Sequence, residues 1–200
     1  QYRVEGRERF LSPEEIERLR EAVEQSSNKQ LKHIVALLLM LGCRKRELLD
    51  AKWEGFDLER RSWRIPLAKS GKSRRVPLSS SAIAVLENLP RFKDSPYVVP
   101  NPKTGKPYSG IDEAWQTAIR RAGIKECRVH DLRHTFAVRR MMLWHDDGTD
   151  IDQMMLALST YMGHAEIFYT YWYLTAVPEL MALAGGKFEC FAKMVGGCDE

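Results

Sequence analysis

The segment 31–41, LKHIVALLLML, constrains the fold more than any other stretch of this 200-residue chain. Its apolar residues cover nearly every side of a helix, so other elements must surround it. The run 34–41 is bracketed by Lys32 and His33 before it and Arg44 after it, and it falls well short of the roughly 20 apolar residues that span a bilayer. A central buried helix that stops at Gly42 is expected, and no membrane partner. With 44% hydrophobic residues the chain can bury one core of ordinary domain size. That predicts a single domain over residues 1–200.

Around this helix the patterning predicts more helices and a little sheet. In Leu11-Ser12-Pro13-Glu14-Glu15, Ser12 reads as an N-cap, Pro13 as the first helical residue and Glu15 as the return half of a capping box. Ile16, Leu19 and Val23 then supply a buried stripe. A short helix is expected over 44–51. Trp63 and Ile65 alternating with Ser62 and Arg64 predict a strand, Arg75-Val76-Pro77-Leu78 a second, and Ser70-Gly71 the turn between them. A capped helix over 79–89, a short strand over 97–99 and a polar loop over 101–109 follow. From residue 111 the chain reads as helices over 111–122, 130–144 and 151–162, an aromatic stretch over 168–173, and an amphipathic segment carrying Phe188, Phe191 and Val195. Residues 196–200 read as a disordered tail. The fold class predicted is mainly α (α+β), a helical domain with a small three-stranded antiparallel sheet.

Charge narrows the partners only a little. Lys and Arg exceed Asp and Glu by 31 to 27, giving a net charge of +4, which permits a polyanionic partner without requiring one. Cys43, Cys127, Cys190 and Cys198 form no CxxC pair, as expected of reduced thiols in a cytoplasm rather than of a disulfide framework or a zinc site. No secretory leader opens the chain, and its first residue is Gln1, so a longer parent protein is expected.

Chemistry-bearing residues are spread along the sequence. His130 and Arg133 stand three apart at a helix start, which turns both to one face. An arginine fork matches phosphate oxygens and stays charged at any working pH, so a second arginine converging on it would form a phosphate clamp. Arg44, at the exit of the central helix, is the candidate, and Glu47 one turn later can orient it. Lys69, just before the Ser70-Gly71 turn, can swing an ammonium toward a leaving oxygen. His164 follows Gly163 with a second imidazole, and Tyr173 comes nine residues later.

Read singly, each of these has a plainer meaning. Arg44 and Glu47 make a surface ion pair, and Lys69 keeps a hairpin tip soluble. Tyr173 joins Tyr161, Tyr169, Tyr171 and Trp172 as packing aromatics, and His134 is a structural histidine. His130 and His134 have zinc-pair spacing, but Arg133 between them and the lack of His-Glu-x-x-His oppose a metal. Gly71-Lys72-Ser73 imitates the end of a phosphate-binding loop, yet Pro66 stands where its first glycine belongs. Neither a metal nor any other cofactor is expected.

The joint order carries more. Gly42-Cys43-Arg44-Lys45-Arg46-Glu47, then Lys69-Ser70-Gly71-Lys72 before Val76-Pro77-Leu78, then His130-Asp131-Leu132-Arg133-His134, and Gly163-His164 ahead of Thr170 and Tyr173 together resemble the catalytic domain of the tyrosine recombinases, or phage-type integrases. The resemblance spans residues 9–183. It implies that Arg44 and Arg133 grip a scissile phosphate, that Lys69 and His130 assist proton transfer, and that His164 hydrogen-bonds the phosphate. Tyr173 would form a 3′-phosphotyrosyl link, with Glu47 supporting Arg44. Arg74, Arg75, Lys103 and Lys106 are expected to contact DNA phosphates.

The same resemblance implies double-stranded DNA with a specific recombination site as partner, a homotetramer on that DNA, and a C-terminal segment, 185–200, docked on a neighbouring subunit. It also implies an N-terminal DNA-clamping domain, for which this chain has no room, and a bacterial or phage-encoded, nucleoid-associated protein. Two departures stand out. Trp144-His145-Asp146-Asp147-Gly148 lengthens the stretch between Arg133 and His164, and Tyr169 and Tyr171 lie close to Tyr173. Two other readings stay open: a type IB-like topoisomerase, and a DNA-binding module that keeps the fold without catalysis.

Overall fold

The computed structural model describes residues 9–66, 73–164, 166, 169, 170 and 173. Helix α1, Pro13–Glu24, starts as its sequence dictates: the Glu15 amide donates to Ser12 Oγ at 3.2 Å, and the Ser12 amide donates to the Glu15 carboxylate at 3.1 Å. Helix α2, Leu31–Leu41, buries Leu31, Ile34, Val35, Leu37, Leu38 and Leu41. It packs against α1, α3 (Lys45–Leu49), α4 (Ser80–Glu87) and α6 (Asp131–Asp146). Helix α5, Asp112–Arg121, lies on α1, while α7, Ile151–Met162, lies on α6. The near-uniform apolarity of α2 thus finds partners on several sides.

The exit of α2 allows little choice of residue. Gly42 has φ 55°, and a Cβ there would stand 2.2 Å from Cδ1 of Phe136. Only glycine satisfies both the left-handed backbone and the approach of α6.

The sheet runs β1 (Phe56–Asp57), β2 (Ser62–Ile65), β3 (Arg74–Pro77), all antiparallel, with Trp63 opposite Val76 and Arg64 opposite Arg75. Its third strand is not the one expected over 97–99. Tyr97 makes only an isolated bridge to Lys52, because Pro96 and Pro100 deprive that segment of the amides a ladder needs. Phe56 instead pairs with Trp63, their rings stacked at 4.9 Å. Residues 144–148, which lengthen the stretch between Arg133 and His164, carry the helix past its expected end at Trp144. They extend α6 to Asp146, which Gly148 (φ 70°) then closes, with the Thr149 amide donating to the Trp144 carbonyl at 2.8 Å. The expected turn at Ser70-Gly71 and the segment 185–200 lie outside the described residues.

Two apolar clusters result. The larger surrounds α2, and the smaller joins Phe136, Met141, Met155, Leu158, Met162 and Tyr173. At their seam Tyr161 stacks on Phe136 (5.2 Å, 15°), and its hydroxyl donates to the Leu41 carbonyl at 3.0 Å. Among the described residues no helix is long and apolar enough to cross a membrane.

Gly42→Ala is expected to destabilise the protein by about 2–4 kcal/mol, combining a left-handed alanine with overpacking against Phe136. Urea midpoints measure this. Phe136→Leu in the same chain should recover part of the loss, and no recovery would place the cost in the backbone alone.

Candidate active site

The C-terminus of α7, the first turn of α6 and the N-terminus of α3 meet at the seam between the two clusters. Arg44 is the residue before α3, and the Glu47 carboxylate turns back to accept its amide at 2.8 Å. The same carboxylate takes Arg44 Nη1 at 3.0 Å, while Arg44 Nη2 donates to the Gly163 carbonyl at 2.9 Å. Arg133, on the first turn of α6, is 3% exposed and donates to the carbonyls of Gly42 at 2.7 Å and Met162 at 2.6 Å. Two guanidinium groups are therefore held largely by neutral carbonyls, and their charge is only partly cancelled. Burial, then repulsion from Arg44, lowers the Arg133 pKa to about 10. An arginine so placed is stabilised by any anion that reaches it.

The imidazoles face the same charge. His164 shares a hydrogen bond through Nδ1 with Thr170 Oγ1 at 2.7 Å, which leaves Nε2 as the nitrogen for another partner. Burial, then Arg133 and Arg44, lower its pKa to about 4. His134, at the centre of a ring contact series, is lowered to about 4 by burial and then by His130. His130 keeps an exposed edge, but burial of the rest and the Arg133 charge lower it as well. At neutral pH these rings are uncharged, each with one N–H to donate and one nitrogen to accept.

Tyr173 lies among these groups. Its ring stands 5.5 Å from that of His134 and 6.1 Å from that of His164, and its phenol is hydrogen-bonded to Arg133. Burial raises its pKa, against the opposing pull of Arg133 and Arg44, so the resting phenol is protonated. It is 3% exposed, whereas Tyr169 is 58% exposed.

Of the residues expected from the sequence, Arg44, Glu47, His130, Arg133, His164 and Tyr173 come together. Lys69 lies outside the described residues. Arg75, Lys103 and Lys106 are exposed. Arg74 is not: its side chain is 11% exposed and grips Glu47 through both Nη atoms, at 2.8 and 2.6 Å. Unlike the other three residues expected at DNA phosphates, it turns its fork into the protein. Arg64 escaped the sequence reading; it is exposed directly opposite Arg75, and only the strand register reveals the pair. Thr170, fully buried against His164, carried no signal beyond its place before Tyr173.

The depressed histidines set a pH dependence. Unfolded imidazoles take up protons from about 6.5, while folded His134 and His164 resist until about 4. Between those values the unfolded chain binds more protons, so this stability is present above the upper value and is lost as pH falls toward the lower. The loss should be on the order of 1–3 kcal/mol after allowance for partial exposure. Urea midpoints across that window measure it, and His134→Gln should flatten the slope.

Comparison with known proteins places this arrangement. The model of the phage integrase family matches residues 9–179. The chain is 32% identical over 171 residues to y4rB of Sinorhizobium fredii, an integrase/recombinase by name, covering 78% of this chain and 54% of that one. The catalytic domain of bacteriophage HP1 integrase superposes with a TM-score of 0.64 at 25% identity, covering 95% of this chain and 98% of that one. The Tn1549 transposon integrase in complex with circular intermediate DNA gives a TM-score of 0.67 at 18% identity, over 85% and 63% of the two chains. The chain spans about half the length of the curated relatives it matches.

Proposed function

Because this chain belongs to the phage integrase family, we propose that it carries the catalytic machinery of a site-specific DNA recombinase, cleaving and rejoining strands through Tyr173. The observation that carries the reading is the meeting of Arg44, Arg133, His164 and Tyr173 at one seam, with two incompletely neutralised guanidinium groups beside a phenol. A DNA phosphate supplies the anion that this seam lacks. The DNA-bound Tn1549 integrase shares the fold.

In the proposed step the Tyr173 oxygen attacks phosphorus, the bond from phosphorus to the 5′ oxygen breaks, and a 3′-phosphotyrosyl ester forms. The phenolic proton passes to a neutral imidazole, His130 on the strength of the family, and the departing 5′ oxygen takes a proton from Lys69. Charge gathers on the phosphoryl oxygens, where Arg44, Arg133 and His164 stabilise it in place, the imidazole donating from Nε2 while Nδ1 accepts from the Thr170 hydroxyl. One phosphate ester replaces another, so attack by a 5′ hydroxyl reverses the step without a nucleotide energy source. Target site, tetramer and exchange of the 185–200 segment complete the proposal on the strength of the family.

Arg64 and Arg75 extend it. Like charges directly opposite across a sheet are unfavourable, and an anionic backbone laid along that face relieves them. Arg64→Ala and Arg75→Ala should each weaken duplex binding and reduce the slope of log affinity against log salt by about one. Unchanged slopes would remove the sheet from the interface.

The nucleophile is tested on a nicked suicide duplex, in which a cleaved strand cannot be resealed. Tyr173→Phe should bind as before and leave no covalent adduct, and Tyr169→Phe should leave one. An adduct that survives the first change and vanishes with the second would transfer the role to the exposed tyrosine.

A further inference from the structure

Three consecutive carbonyls close α7, and each takes a different arginine. Tyr161 O accepts Arg74 Nε at 3.0 Å, Met162 O accepts Arg133 Nη2 at 2.6 Å, and Gly163 O accepts Arg44 Nη2 at 2.9 Å. A helix end leaves its last carbonyls without intrahelical donors and carries a partial negative charge, so cations settle there. The end of α7 therefore fixes where the two phosphate-gripping arginines stand, and the third arginine shares that anchor.

Arg74 does more than cap. Its Nη1 and Nη2 form a fork on Glu47, whose side chain is 8% exposed, and Glu47 in turn holds both the amide and the guanidinium of Arg44. The Arg74 side chain also lies against Gly163: a Cβ on that glycine would meet Nη1 at 2.8 Å and Cδ at 3.1 Å. One side chain on β3 thus braces both supports of Arg44, the carboxylate and the carbonyl, and touches the residue before His164. Free rotation of Glu47 would leave Arg44 bound at one end only.

We infer that Arg74 is a positioning residue for strand cleavage, acting through Glu47 and the α7 terminus to hold Arg44 in register with Arg133, and that it does not contact DNA. The inference rests on the recombinase reading above. A lysine at 74 keeps the charge but offers no bidentate fork, and a methionine keeps bulk beside Gly163 without charge.

Single-turnover cleavage of the nicked duplex at saturating protein separates positioning from binding. Arg74→Lys should slow adduct formation between about 10- and 100-fold, the cost of a misplaced catalytic group, with duplex affinity and its salt slope unchanged. Because the two residues act in series, Arg74→Lys combined with Glu47→Gln should be no slower than the slower single variant. Arg74→Met, assayed below its unfolding temperature, should show the same split between rate and affinity. Weaker binding with a shallower salt slope would make Arg74 a phosphate contact and overturn the inference, as would losses that multiply in the double variant or an undiminished rate. An unmutated chain that forms no adduct would overturn the functional reading itself.

Discussion

Among the described residues a single carboxylate, Glu47, stands between three guanidinium groups, and much of the local structure follows from that imbalance. Burial opposes its charge, but hydrogen bonds from Arg74 and from the Arg44 amide outweigh burial and hold its pKa at about 2. One negative charge cannot neutralise Arg44, Arg74 and Arg133 together. The remainder is met by carbonyl dipoles from Gly42 and the end of α7, which satisfy N–H donors without cancelling charge. The seam is left positive, and electrostatic stabilisation of an anion there needs no rearrangement of the protein.

The two apolar clusters explain why this seam can be so exacting. Arg44 leaves the end of α2 in the larger cluster, whereas His164 and Tyr173 belong with α7 and the smaller one. Arg133 bridges them, donating to Gly42 on one side and Met162 on the other. The Tyr161–Phe136 stack and the Tyr161 bond to Leu41 seal the same junction. Glycine at 42 lets α6 close upon α2, so the spacing of the arginines is set by backbone approach as much as by their own contacts.

Much of this was legible in the sequence because it depends on local rules. The Ser12 and Glu15 capping box, the burial of α2 and its end at Gly42 follow from patterns spanning a few residues, and the ordered motifs located Arg44, Arg133, His164 and Tyr173. What escaped depends on pairing between distant segments. Strand β1 is two residues long and has no alternation to read, while residues 97–99 look like a strand until their flanking prolines are weighed. Arg74 and Arg75 are neighbours with the same charge, and only the pleat decides that one turns inward to Glu47 and the other outward. Arg64 becomes meaningful through its register partner, which no local pattern encodes.

The burial of Tyr173 decides how its hydroxyl is presented. Its ring is 3% exposed and packed with Met155, Leu158 and Met162 in the smaller core. Packing of this kind, worth about 2 kcal/mol, holds the ring still while the phenol meets Arg133. The aim of a polar group is thus set by apolar neighbours, and a cavity opened at Met155 or Leu158 would loosen it without touching any charge in the seam.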